Sequence, residues 1–227
     1  ALAMRAVPRQ EFVDDAPYRN RAEETAGTTV LAPETVARLL TALDVDAGDD
    51  EDAASVLVVG AGVGYTAAVL AELVGETRVH AVDIDRRLVY AARSNLASAG
   101  YEGVLVDARD GAGGLPEYAP FDRILVEAAA IDPPRALVEQ LTPEGRLVLP
   151  LGGPEQTLAA VGGDGRVIDR YGPVAFRPLL VDGEQHGRPA RNRTVREDTE
   201  RQAEPGYFAE TGWEQEWIDW DEQLRRR

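Results

Sequence analysis

Residues 59–65 read Val59-Gly60-Ala61-Gly62-Val63-Gly64-Tyr65. Three glycines at alternate positions behind an apolar run let the backbone turn tightly and let a ligand approach it closely. The spacing is G-x-G-x-G with Tyr65 following, not the G-x-G-x-x-G of dinucleotide sites. It suits S-adenosylmethionine, a nucleoside with no pyrophosphate to seat at the helix end. Asp83 stands 23 residues after Gly60, at the end of a second apolar run, where a carboxylate can accept from both ribose hydroxyls. Asp110-Gly111 follows the third run. An Asp there can accept from an adenine amino group, although Asp-Gly is also an ordinary turn pair. All three fall at the carboxyl ends of successive strands, where parallel sheets bind nucleoside ligands.

Other chemistries are poorly served. With no Cys, thiolate metal sites, disulfides and Cys nucleophiles are excluded. The two His, His80 and His186, argue against a His-rich metal site, and no metal is expected. None of the three Ser lies in a G-x-S-x-G elbow. After the fourth strand the chain reads Val126-Glu127-Ala128-Ala129 rather than an N-P-P-Y-type motif for methylating an amine. Glu127 is unusual there and reads as a supporting hydrogen-bonding residue. A carboxylate acceptor needs no base, because it is ionised at neutral pH; attack on a sulfonium methyl then needs positioning above all. No catalytic residue is assigned.

The elements that position these residues alternate. Ser55–Val59 reads as a buried parallel strand, Thr66–Val74 as helix, Arg78–Val82 as strand and Arg86–Ala97 as helix. Strands follow at Gly103–Val106, Arg123–Val126 and Arg146–Leu149, with a helix over Pro134–Leu141. This is α/β, a doubly wound Rossmann-like parallel sheet covered on both faces, which the resemblance given below implies to be of the class I methyltransferase kind. Thr157–Val161 and Val174–Phe176 read as antiparallel edge strands, with Pro173 at the start of the second. A helix begins at Pro33, and Val36, Leu39, Leu40 and Leu43 share its buried face. Residues 14–28 are polar and aperiodic, and no helix is expected before Val7. The start Ala1-Leu2-Ala3-Met4 reads as a tag remnant or a fragment.

Composition bounds the partners. The formal charge is −16, and all 24 cations are Arg. A pI near 4.5 disfavours unspecific nucleic-acid binding. A Lys-free acidic surface suits a high-salt cytoplasm, where like charges are screened. No span or signal pattern is read, so neither a membrane nor export is expected. Three segments follow: residues 1–32 lining the site, 33–182 the catalytic domain, and 183–227 a linker with a C-terminal amphipathic helix. The linker, 187–203, carries five Arg. In the helix, Thr211 and Glu214 have capping-box spacing, and Trp213, Trp217, Trp220 and Leu224 share one face. That face either packs as core or self-associates.

Taken together, the chain resembles the protein-L-isoaspartate O-methyltransferase family over Val7–Leu179. The matching pieces are Val7-Pro8-Arg9, Phe12-Val13, Thr29-Val30, Ala32-Pro33, Gly60–Tyr65 with Ala67–Ala71, Asp110-Gly111, Ala119–Ile124, Ala128–Ala130, Gln140–Gly152 and Phe176–Leu179. The resemblance implies S-adenosylmethionine as cofactor and methyl esterification of isoaspartyl carboxylates in damaged proteins, the first step of repair. It implies that Gly60, Ala61, Gly62, Gly64 and Tyr65 form the cofactor turn. Asp83 and Ile84 then hold the ribose–adenine side, Asp110 and Gly111 the adenine, and Thr28, Thr29, Val30 and Leu31 the methionine end. Gln185 closes the site. Leu31, Ala32, Pro33, Glu34 and Arg177 line the acceptor side. The family carries Ser where this chain has Leu31, and His where it has Glu34, which removes a hydroxyl and adds a negative charge. Two other readings stay open: another acceptor for the same fold, or a cofactor-binding subunit without catalysis.

Overall fold

The computed structural model describes residues 2–45 and 53–180. The chain divides into two units, Ala1–Glu184 and Gln185–Arg227. Gln185, the Arg-rich linker and the Trp stripe therefore lie outside the described residues.

The first unit opens with α1 (Leu2–Ala6), a short helix where none is expected. Ala3, Val7, Phe12 and Val13 behind it are buried in the main core, and this packing holds the segment in place. A two-stranded hairpin follows, β1 (Glu23–Thr25) and β2 (Thr28–Val30), in the stretch read as aperiodic. Its turn residues, Ala26 and Gly27, both have positive φ, 54° and 81°. That backbone matches the twist of a two-residue hairpin but strains an alanine, so the turn has the usual Gly at its second position without the Asn, Asp or Gly that normally marks its first. Next comes α2 (Pro33–Leu43), which starts on Pro33 and buries Val36, Leu39, Ala42 and Leu43 as its spacing requires.

The sheet begins with β3 (Val56–Val59), buried at every position. It continues through α3 (Tyr65–Val74), β4 (Val79–Asp83), α4 (Arg86–Ala99), β5 (Leu105–Ala108) and β6 (Phe121–Val126). A short α5 (Arg135–Val138) then leads to β7 (Leu141–Gly152), β8 (Gln156–Gly162) and β9 (Val167–Val174). The strand order is β5-β4-β3-β6-β7-β8-β9, parallel up to β7 and antiparallel at β8 and β9. Alternation along β3 divides the core. Val56 and Val58 join the α2–α3–α4 side, and Leu57 and Val59 join the other side with Leu115 and Leu137. From β3 the chain moves out to β4 and β5, then returns to place β6 on the far side of β3. The strand order reverses between β3 and β6, which opens a crevice at their carboxyl ends.

Two elements differ from the sequence reading. The helix expected over Pro134–Leu141 is only four residues long, because Leu141 is already paired with Phe121 in the sheet. The last strand covers 167–174 rather than 174–176, and Pro173 sits near its end, paired with Thr157. Because β9 is the sheet edge, the missing N–H of Pro173 is tolerated there. Arg38 of α2 ties this edge down by donating to the carbonyls of Tyr171 and Pro173 at 2.7–3.2 Å.

Candidate active site

The glycine turn is anchored at both ends. Gly60 and Ala61 donate to the Val82 carbonyl at 2.9 and 3.0 Å, and Gly62 donates to Asp83 Oδ2 at 2.9 Å. The other carboxylate oxygen, Oδ1, accepts from Asp85 N at 2.9 Å. Asp83 is 9% exposed and organises the turn through both of its carboxylate oxygens. Asp85 then caps α4 by accepting from Arg87 N. Gly60, Gly62 and Gly64 have φ of 86°, 54° and 94°, the left-handed region that excludes most side chains.

Around this turn the neighbours stand at ordinary contact distance. A Cβ on Gly62 would meet only Thr28 Cγ2, at 3.8 Å, and one on Gly60 only Glu127, at 3.7 Å. Thr28 of the hairpin therefore stands over the turn, and Glu127 stands beside it at the end of β6. At Gly111 there is no room: a Cβ would lie 2.3 Å from Val59 Cγ1. Asp110 caps the short helical turn that holds Gly111, accepting from Ala112 N at 2.8 Å. The pair is a turn, as the plainer reading has it. It is also pressed against the strand that carries the glycine turn, which locates it at the same sheet end. Val59 is β-branched and buried, so it yields little. Gly111→Ala should therefore cost about 1–3 kcal/mol by overpacking, read as a lower denaturation midpoint. An unchanged midpoint would mean the turn shifts aside.

Several residues expected to touch the cofactor point elsewhere. Val30, Ala61 and Tyr65 are buried in the main core. The Tyr65 ring lies under the Arg9 guanidinium at 4.4 Å and meets Phe12 edge-on at 5.7 Å. Arg9 is 3% exposed and donates to the Leu31 carbonyl at 2.9 Å. It fastens the N-terminal segment to the acceptor-side segment, a role the sequence reading did not give it.

On that acceptor side, Ala32 precedes the first turn of α2, Pro33 opens the helix, and Leu31 packs partly against the core. Glu34 is exposed and paired reciprocally with Asn20: Asn20 Nδ2 donates to its carboxylate at 2.9 Å, and Glu34 N donates to Asn20 Oδ1 at 3.0 Å. Arg177 reaches the hairpin, 3.4 Å from Thr29 Oγ1 and 3.6 Å from Glu24 Oε2. Its carbonyl accepts from Ala129 N, which brings the late segment alongside the end of β6. Among the described residues no group of three His, Asp or Glu is placed to hold a metal ion, and no helix is long and apolar enough to cross a membrane.

The residue that sequence reasoning left without a function is Glu127. Burial raises its carboxyl to about 7; a hydrogen bond with Thr66 opposes the shift and the charge of Asp83 adds to it. Its only sequence signal is an acidic residue directly after a buried apolar strand.

Strand order, glycine turn and acidic strand end together define a Rossmann-like class I methyltransferase. The family model for protein-L-isoaspartate(D-aspartate) O-methyltransferase matches residues 1–185. A protein-L-isoaspartate O-methyltransferase of Aeropyrum pernix is 45% identical over 190 residues, covering 78% of this chain and 71% of that protein. One of Methanocella arvoryzae is 44% identical over 186 residues, covering 78% and 96%. The chain belongs to the protein-L-isoaspartate O-methyltransferase family. Among solved structures, a protein-L-isoaspartate O-methyltransferase superposes with a TM-score of 0.68 at 25% identity, covering 78% of this chain and 61% of that one, less than two thirds of it. A Plasmodium falciparum protein in complex with S-adenosyl-L-homocysteine shares the fold, with a TM-score of 0.67 at 24% identity over 79% and 88% of the two chains.

Proposed function

We propose that this chain is an S-adenosylmethionine-dependent carboxyl O-methyltransferase acting on L-isoaspartyl residues of damaged proteins. The observation that carries the reading is the glycine turn bonded to Asp83 beneath Thr28, in a chain of this family. The residues present fit the cofactor: Gly60 and Gly62 offer backbone without side chains beside Thr28 and Glu127, and among the described residues Asp83 and Glu127 bring acidic side chains to the turn. Asp83 and Ile84 would take the ribose, Asp110-Gly111 the adenine, and the hairpin residues Thr28 to Leu31 the methionine end. S-adenosylmethionine, when bound, supplies an electrophilic methyl group. The chain's own work is to orient the acceptor carboxylate and exclude water, since that carboxylate needs no base.

The acceptor side comprises Leu31, Ala32, Pro33, Glu34 and Arg177. Arg177 is the cation available to an anionic peptide there, and Glu34 the opposing charge. Leu31 offers no hydroxyl, which favours as a second reading an acceptor other than isoaspartate. Transfer of a labelled methyl group to an isoaspartyl peptide, against the same peptide with aspartate, tests the first reading; equal or absent labelling overturns it. Leu31→Ser with Glu34→His should raise transfer at least about tenfold, roughly 1.4 kcal/mol. It adds a donor to a charged acceptor and removes a repulsion that salt also weakens. No gain, with cofactor affinity intact, would mean the pocket serves another acceptor.

The cytoplasm is the proposed compartment, where this ATP-derived cofactor is made. A high-salt interior is supported by the charge of −16 and the absence of Lys. Self-association through Trp213, Trp217 and Trp220 rests on their helical spacing alone.

A further inference from the structure

Glu127 leaves β6 one residue after Val126, at the point where the strand order reverses. Its backbone N–H donates to the Val59 carbonyl at 2.8 Å, and its Cβ lies 3.7 Å from where a Cβ on Gly60 would stand. The side chain is therefore held against the glycine turn. Oε1 is buried and accepts no hydrogen bond among the described residues. Among the described residues the neighbouring elements supply no cation: α3 offers the Thr66 hydroxyl, β4 the like charge of Asp83, and the turn only backbone. A buried carboxylate oxygen with no donor is expensive and is not kept for stability. No described residue supplies that donor, so the oxygen marks the place of a cationic one.

We infer that Glu127 binds the α-ammonium group of the methionine moiety of S-adenosylmethionine. The inference rests on the reading above that this turn binds that cofactor. The ammonium brings three N–H donors, whereas the sulfonium has none and would leave Oε1 unsatisfied. The same group is present in the product S-adenosylhomocysteine, so substrate and product are held alike at this end. A carboxyl raised to about 7 loses its proton when the ammonium binds beside it.

The test is calorimetry at pH 8 with three probes: S-adenosylmethionine, S-adenosylhomocysteine, and the S-adenosylhomocysteine analogue whose amino group is replaced by hydrogen. The unmodified protein should bind the deaminated analogue at least about tenfold more weakly than S-adenosylhomocysteine. In Glu127→Met the two should bind within about threefold of each other, because no acceptor remains; Glu127→Gln, which keeps an oxygen but no charge, should fall between. Titration near pH 7 in buffers of different ionisation enthalpy should show proton release in the unmodified protein and none in either variant. Retention of the full discrimination by Glu127→Met overturns the inference; so does a general weakening that leaves the ratio unchanged, since that is a structural role. A loss confined to S-adenosylmethionine moves the contact to the sulfonium and overturns it too. If the unmodified protein binds neither natural ligand, the cofactor reading itself fails, and the inference with it.

Discussion

Asp83→Ala should lower stability by about 2–4 kcal/mol, and cofactor affinity by at least about tenfold. The first effect follows from two backbone donors. Gly62 N and Asp85 N each lose a carboxylate acceptor at 2.9 Å, at a position only 9% exposed. A buried donor left unpaired costs about 1–3 kcal/mol, more when its partner was charged. The second effect follows from the proposed cofactor site: the turn of Gly60 and Gly62 would no longer be fixed, and the ribose proposed to bind Asp83 would lose its acceptor. Asp83→Asn keeps one carbonyl oxygen and can satisfy one of the two amides, so it should retain about half the stability. A melting temperature lower by about 5–10 °C for the alanine variant, with a smaller drop for asparagine, is the expected result. An alanine variant as stable as the unmodified protein would show that the turn does not depend on this carboxylate.

Glu127→Gln should be more stable than the unmodified protein at pH 8 and nearly equal to it at pH 5. The fold raises this carboxyl from 4.5 to about 7. A raised acid favours the folded state while it is protonated. Its contribution is therefore complete below about pH 4.5 and is lost as pH rises through 7. That shift is worth roughly 3 kcal/mol, which the amide does not lose because it never ionises. Thermal melts at the two pH values, without ligand, should separate the proteins by about 5–10 °C at pH 8 and by little at pH 5. The same gain at both pH values would assign the effect to packing rather than ionisation. Asp83→Asn provides a cross-check: with the like charge gone, the Glu127 transition should move to lower pH. Stability given up in the empty protein and recovered with the ligand is the ordinary signature of a group retained for binding.

Much of the scaffold could be read from pattern alone. Val56–Val59 is buried at every position, as a continuous apolar run in a parallel sheet must be. The α2 face of Val36, Leu39 and Leu43 follows from spacing, and Pro33 marks its start. These features are local: period and turn chemistry act over a few residues and survive any tertiary context. The hairpin at 23–30 was illegible because Ala26 occupies a position that normally selects Gly or Asn. The shortened α5 and the displaced last strand were misread because sheet pairing, not propensity, decided where Leu141 and Pro173 fall.

The site divides in the same way. By itself the sequence determined the glycine turn and the acidic strand end beside it, since these are backbone requirements written directly in residue types. Only the tertiary structure decided three further matters. It gave Asp83 two backbone donors to hold, and it turned Val30 and Tyr65 into the core, with Arg9 stacked on the ring. It also left a Glu127 oxygen buried without a donor beside Gly60. Each depends on which side of a strand or turn a side chain faces and on what residues distant in sequence bring to it. Desolvation and hydrogen-bond satisfaction are sums over such three-dimensional neighbours, and no local pattern encodes them.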